Sequence, residues 1–524
     1  MSLIAPNLSF ANTNDKSKVN PEAFNLLADY EFEEYTMTSF YSGRKPSPLL
    51  ANVLLFCLFL IIGIGFGYQS FITLKLQAQG ASYLDQSHFS LSMLPFTFKV
   101  FTAPFLDVYY IKKIGKCKTW ICSSLFLVTI VLAYYSIHAN TAVHPDSILK
   151  LTVTWTIINS LVTFFQIAGE TWIVKLFDSQ DEQGAAASLT SIGREIGKFL
   201  GYNVFVPLND QDWLNTYIFT RTPTTRALMT DQELIMLLAL MTGLFFVVTF
   251  FFVAEKQTER DGGSAPLKSH MKMIVNLFCI KSTQKLILWL FVTQLFVYFV
   301  RDSLTLKLLD NGISTTFVVN SITAAFIPTI LSLYIIMRLS RKGILLRMSH
   351  IVNVFNVVSA VAYFLVFLDL EKNRDLERSK LFFIFTTILD KATWSGPNLA
   401  MAYVNTVTSH EMGSTFITLV NGVSNLSYSG PTAIGLKIIS MNIIPYNLFA
   451  TAALGMQLLA LAATYHMPTA LDKLDREDYD CIDYRVPSLF GSPLANANMS
   501  DYHPRYSQIL KSWATEYIQG QPDR

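Results

Sequence analysis

The stretch LANVLLFCLFLIIGIGFGYQSFITL, residues 50–74, runs for 25 positions without a charged side chain. A helix needs about 20 mostly apolar residues to cross a bilayer, because water is excluded there and every backbone N–H and C=O must be satisfied within the helix. Thr119 to Ile137, Leu234 to Ala254 and Leu286 to Val300 meet the same demand cleanly. Eight more stretches are apolar but interrupted by a few polar residues: Phe89 to Ile111, Leu151 to Trp172, Ala185 to Pro207, Phe317 to Met337, Ile351 to Leu368, Leu381 to Val404, Thr415 to Ile439 and Pro445 to Tyr465. The expected fold is therefore all-α and polytopic, with twelve transmembrane helices, and the polar interruptions are where function is to be sought.

Composition agrees: 51% hydrophobic, 13% aromatic and 15% charged residues over 524 positions, with 40 Phe, is far oilier than a soluble chain. The lipid bilayer is the first partner implied. A net charge of +2 without a basic stripe gives no support to a nucleic-acid partner. Five Cys show no metal or redox spacing, so neither a metal nor another cofactor is expected. A Gly-rich phosphate loop, a His-Glu-x-x-His pair and a nucleophile elbow are all missing from the sequence, so no catalytic residue and no enzyme activity are expected.

Basic residues cluster after segment two (Lys112, Lys113, Lys116, Lys118) and again after segment eight (Arg338, Arg341, Lys342, Arg347), six segments apart. Between segments six and seven lies a basic link with the loop-like run Asp261-Gly262-Gly263-Ser264-Ala265-Pro266. The positive-inside rule puts both termini, this link and both basic loops on one face. Six plus six with a central link predicts two pseudo-symmetric six-helix bundles, residues 49–254 and 286–465, joined by 255–285 and flanked by tails 1–48 and 466–524. A twelve-helix scaffold with no pathway remains the alternative. The first 48 residues hold no cleavable signal peptide or Arg-rich presequence, and the compartment stays open.

A run of motifs in order resembles the acetyl-coenzyme A transporter family, related to the major facilitator superfamily. In the first half it comprises Gly63-Ile64-Gly65-Phe66-Gly67, Ser82-Tyr83-Leu84-Asp85-Gln86, Leu94-Pro95-Phe96-Thr97-Phe98-Lys99, Ala103-Pro104-Phe105-Leu106-Asp107 and Gly115-Lys116-Cys117-Lys118-Thr119-Trp120. In the second half it comprises Asp302 with Leu306-Lys307-Leu308, then Gly413 through Leu426 and Pro431-Thr432. The resemblance implies an anionic, acetyl-coenzyme A-like substrate, alternating access and an endoplasmic reticulum or other endomembrane location. Where the family reads two acids in segment four, this chain has Gln166 and Glu170 before Trp172; where it reads Gly-Gln-Thr-Ala-Gly-Tyr in segment five, this chain has Gly193-Arg194-Glu195-Ile196-Gly197-Lys198.

Several residues are candidates on physical grounds. Pro95 and Pro104 remove backbone donors inside segment two, so it can bend. Asp107 with Lys116 and Lys118 forms a candidate gate, plain snorkelling of the lysines being the alternative. Gly193, Gly197 and Gly201 give segment five a face for close helix approach. Lys99, Arg194, Lys198, Arg301 and Lys391 offer positive charge for phosphates, and Trp394 an aromatic face for a base, unless these cations are neutralised internally. Glu170 either joins the cavity wall or pairs with Lys175 or segment five. Asn421 and Asn425 lie on a polar face of segment eleven with Thr415, Thr418 and Ser424, fit either to line a cavity or to bond a neighbouring helix. Both tails are polar yet rich in aromatics, which suggests arms that dock on protein partners. That pattern supports a second reading: an accessory subunit of a larger membrane assembly, such as a complex of the mitochondrial inner membrane, with transport weakened or lost.

Overall fold

A computed structural model describes residues 47–177, 180–253, 255, 267–339, 343–373, 375–393, 396–408 and 413–479. The tails before Ser47 and after Tyr479, the loop-like run at 261–266, Arg341, Lys342 and Trp394 lie outside the described residues, as does the side chain of Arg338. Among the described residues all regular structure is helical. Segment one is a continuous helix, Pro48–Ala78, capped by the Ser47 hydroxyl, which accepts from the Leu50 N–H, with Pro48 at the first helical position.

All twelve expected segments fall on a helix or a broken helix. Eight helices among the described residues are long and apolar enough to cross a membrane, or nine if the bent pair Tyr83–Thr97 and Lys99–Val108 counts as one span. The three others, Gln180–Phe199 with its continuation to Asn209, Leu376–Thr393 followed by Gly396–Val407, and Gly413–Ser440, are helical but more polar. They are the helices that carry Arg194 and Lys198, Asp390 and Lys391, and Asn421 and Asn425.

The bend in segment two is 42° and falls at Phe98, between Pro95 and Pro104. Each proline lacks the N–H that would close an intrahelical bond, which loosens the helix on both sides of Lys99. Segment five breaks differently, with a π-helical turn over Leu200–Val204 immediately after Lys198 and Phe199.

Segments one and five pack backbone to backbone. A Cβ on Gly63 would collide with the Arg194 carbonyl oxygen, one on Gly197 with the Leu60 oxygen and one on Gly201 with the Ile64 oxygen. Only glycine permits this approach, and it fixes where Arg194 and Lys198 point by anchoring their helix. The two halves meet along segments two and eleven: the Ser87 hydroxyl donates to the Ala433 oxygen at 2.8 Å, and Thr97 and Ser429 share a hydroxyl contact at 3.2 Å. The second part of the central link is a helix, Leu267–Cys279, which packs on Lys99–Val108.

Candidate functional site

The polar helices bring one charged layer together where the halves face each other. Among the described residues its cations are Lys99, Arg194, Lys198, Arg301 and Lys391, and its carboxylates Glu170, Glu195, Asp302 and Asp390. Lys391 of segment ten is close enough to Glu195 and Lys198 of segment five to interact electrostatically, and Arg194 is similarly close to Lys99 and Tyr428. Five positive charges against four negative leave one in excess. The cations are therefore mostly matched by internal acids rather than waiting bare.

The two halves hold their charges differently. In the second half Arg301 forms an ion pair with Asp390 and donates to the Asn356 side-chain oxygen, and Ser359 donates to Asp390 at 3.4 Å. Lys391 approaches the carboxylate of its own neighbour Asp390 at 3.7 Å, and Arg301 reaches the same carboxylate from segment seven. Asp302 accepts from Thr432 of segment eleven at 3.1 Å. In the first half Lys198 and Glu195 pair within segment five at 2.8 Å. Lys99 is 0% exposed and lies 3.6 Å from Glu170, beyond hydrogen-bond length, with no hydrogen bond at its Nζ. Gln166 donates to the other oxygen of Glu170 at 2.7 Å. Neither partner foreseen for Glu170 holds it: Lys175 goes to Glu255 at 3.3 Å instead, and segment five contributes Arg194 only near Lys99.

Solvent still reaches part of the layer. The Lys391 side chain is 34% exposed, Lys198 30% and Glu170 23%, although all sit within the helix bundle. Trp172 is buried in the apolar core of the first half with Phe59 and Phe165, so it does not present its ring to the charged layer. Asn425 donates to the Phe96 carbonyl at 2.9 Å and accepts from Tyr428 at 3.2 Å, which makes it a contact between segments eleven and two. Asn421 is half-buried on the same helix.

On the basic-loop face Asp107 forms an ion pair with Lys116 and lies 3.8 Å from His270 of the link helix. Lys118 is buried, with its Nζ 5.6 Å from the centre of the Phe250 ring, while Lys112 and Lys113 are exposed. Glu255, which the sequence reading assigned to the link, is the centre of this corner. Its carboxylate accepts the backbone N–H of Cys117 at 3.2 Å and of Lys118 at 2.7 Å, capping helix Lys116–Ala142. Gly115 turns the chain into that helix at φ +104°, a left-handed conformation that favours glycine. The second half repeats the arrangement. Asp472 accepts from Leu346 at 2.9 Å and Arg347 at 3.1 Å, at the head of helix Leu345–Asn373, and Gly343 precedes it at φ +88°. The only sequence signal for either acid is its place shortly after the last apolar segment of its half.

The opposite face is tied across the halves. Asp310 accepts from Tyr83 and from Gln77 at 2.7 Å, and Lys307 lies 4.7 Å from the centre of the Tyr83 ring. Trp213 donates to Asn320 at 2.9 Å, Thr316 donates to Asp210 at 2.9 Å, and the rings of Phe199 and Phe326 are 4.0 Å apart.

Comparison with known proteins places this geometry. Residues 51–272 match the family described as "Acetyl-coenzyme A transporter 1". An uncharacterized protein of Schizosaccharomyces pombe is 26% identical over 200 residues, 38% of each chain. An uncharacterized membrane protein of Saccharomyces cerevisiae is 25% identical over 241 residues, 39% of this chain and 41% of its own. The alignments thus span about two fifths of the length of these curated relatives. Among solved structures, the major facilitator superfamily transporter FucP, in its outward conformation, superposes with a TM-score of 0.55 at 12% identity, over 82% of this chain and 100% of that one. The chain is a multi-pass integral membrane protein with a major facilitator fold, and its residues 51–272 are similar to the acetyl-coenzyme A transporter family.

Proposed function

We propose that the protein carries acetyl-coenzyme A or a related anionic metabolite across a membrane by alternating access, with residues 49–254 and 286–465 rocking as two bundles. All three polar helices cross the membrane in this reading, because in a major facilitator fold they stand between the oilier ones. The observation that carries it is the charged layer. Ionised side chains at membrane depth cost several kcal/mol each unless paired or watered, and here nine are gathered from five segments, some still solvent-exposed. A sealed scaffold has no need of them.

With the opposite face tied by Asp310, Tyr83, Asn320 and Trp213, this reading has the layer exchange substrate on the basic-loop face. Arg194, Lys198, Arg301 and Lys391 would contact phosphate oxygens, and transport would require the ties at Asp310 to break while those at Asp107 and Glu255 persist. An endomembrane location fits the family. The test is uptake of labelled acetyl-coenzyme A into liposomes holding the purified full-length protein, beside Arg194→Ala. Saturable uptake that falls at least tenfold in the variant supports the reading. Well-folded protein that takes up none of several nucleotides overturns it and leaves the accessory-subunit reading of the tails.

A further inference from the structure

The link helix Leu267–Cys279 turns one stripe inward and the opposite stripe outward. On the inner face Met273, Ile274 and Leu277 join an apolar cluster, and His270, one turn earlier, stands 3.8 Å from Asp107. On the outer face Lys268, Lys272, Val275 and Cys279 recur at spacings of four, three and four, all exposed, Val275 to 60%, with Phe278 beside them at 38%. Lys281 and Lys285, one turn apart and exposed, carry the pattern onto the start of segment seven. From Leu267 to Lys285 the chain has four lysines and no acid, and among the described residues none of the four is paired with a carboxylate. The surface reads basic, apolar, basic, and like charges gathered in this way attract an anionic partner.

We propose that this face is covered by residues 29–35 of the protein's own N-terminal tail, Asp29-Tyr30-Glu31-Phe32-Glu33-Glu34-Tyr35. Four carboxylates are interleaved there with three aromatic rings, and they meet four ammonium groups that flank Val275 and Phe278. The charges sum to zero, and the rings have apolar surface to cover. Between Lys18 and Arg44 the tail carries five acids and no base. The C-terminal tail after Tyr479 is a poorer match, with five acids diluted by four bases over 45 residues.

The tail also starts from the right place. Segment one begins at Pro48, and its Ala51 and Leu54 belong to the same apolar cluster as Leu106 of segment two. Asp107 follows Leu106 and faces His270 of the link helix. Residues 36–46 extend to at most about 40 Å, several times the ~10 Å width of a helix, so the acidic run reaches the lysines without strain. Exposed ion pairs are individually weak, but a segment tethered this close meets the face at high effective concentration. Seated there, the tail lies over the chain that joins the two halves, on the helix that packs against Lys99–Val108 of the bent segment two. The docking is independent of what the protein carries.

The test is cross-linking within the full-length protein in neutral phosphatidylcholine, with Cys57 and Cys481 replaced, native Cys279 kept and Thr36→Cys placed just after the acidic run. A short bifunctional maleimide should join Thr36→Cys to Cys279 in most molecules, read by mass spectrometry of the linked peptides. The yield should fall at least fivefold at about 1 M salt, where the screening length is about 3 Å. At low salt Lys268→Glu/Lys272→Glu should lower it at least fivefold, and adding Glu31→Lys/Glu33→Lys should restore it. If the swapped protein does not fold, the salt response alone decides. A yield indifferent to salt, or a folded swap that fails to restore it, means random encounter of a tethered tail and overturns the proposal. Absence of the link overturns it too. In that case Cys279 joined to a retained Cys481 assigns the face to the C-terminal tail, and a fluorophore on Cys279 quenched by spin-labelled phosphatidylserine assigns it to an anionic lipid surface.

Discussion

The two halves use one scaffold device and two kinds of charge. Glu255 and Asp472 cap the third helix of their halves in the same way, each with a left-handed glycine before it. Between them, the second half locks Arg301 onto Asp390 with Asn356 and Ser359 in support, whereas the first leaves Lys99 beside Glu170 without a hydrogen bond. Repetition of the caps belongs to the fold. The charged pairs differ: one is hydrogen-bonded on several sides, the other is held at 3.6 Å with no hydrogen bond between its members.

The largest test of that contrast removes one carboxylate from each half. Asp390→Asn strands a guanidinium that cannot shed its proton, and should cost on the order of 3–5 kcal/mol, read as thermal unfolding in detergent. Glu170→Gln leaves a lysine that can deprotonate, and should cost about 1–2 kcal/mol. Equal losses would break the contrast. The next test concerns the glycine seam found between segments one and five. Gly197→Ala pushes a Cβ into the Leu60 oxygen and should cost on the order of 1–3 kcal/mol, while Gly65→Ala, which meets open space, should leave unfolding within about 0.5 kcal/mol of wild type. The smallest effect sharpens the shared device. Glu255→Ala and Asp472→Ala should each cost about 1 kcal/mol and speed amide exchange at Cys117 and Lys118 or at Leu346 and Arg347 respectively. Unequal effects would mean that the caps are alike only in geometry.

Much of the fold was legible because the bilayer imposes a length and an oiliness on each crossing helix, as residues 50–74 show. The polar helices around Arg194, Lys391 and Asn421 blur that signal because their charged and amide side chains interrupt the apolar run. The prolines of segment two and the glycines of segment five act locally and could be read directly. Partners could not: Arg301 and Asp390 are 89 positions apart and Tyr83 and Asp310 227, and only the fold joins them. For Trp172 the sequence is ambiguous, because an aromatic near an acid fits a cavity wall and a core equally well; the fold puts it in the core.

The central claim, alternating access about the charged layer, is tested most directly by tying the opposite face shut. A short bifunctional maleimide would join Tyr83→Cys to Asp310→Cys in protein whose Cys57, Cys279 and Cys481 have been replaced, and labelled acetyl-coenzyme A uptake into liposomes would be compared before and after linking. The account predicts uptake before linking and its loss once the link is made, with binding retained. Undiminished uptake by fully linked protein, or none before linking, would contradict it.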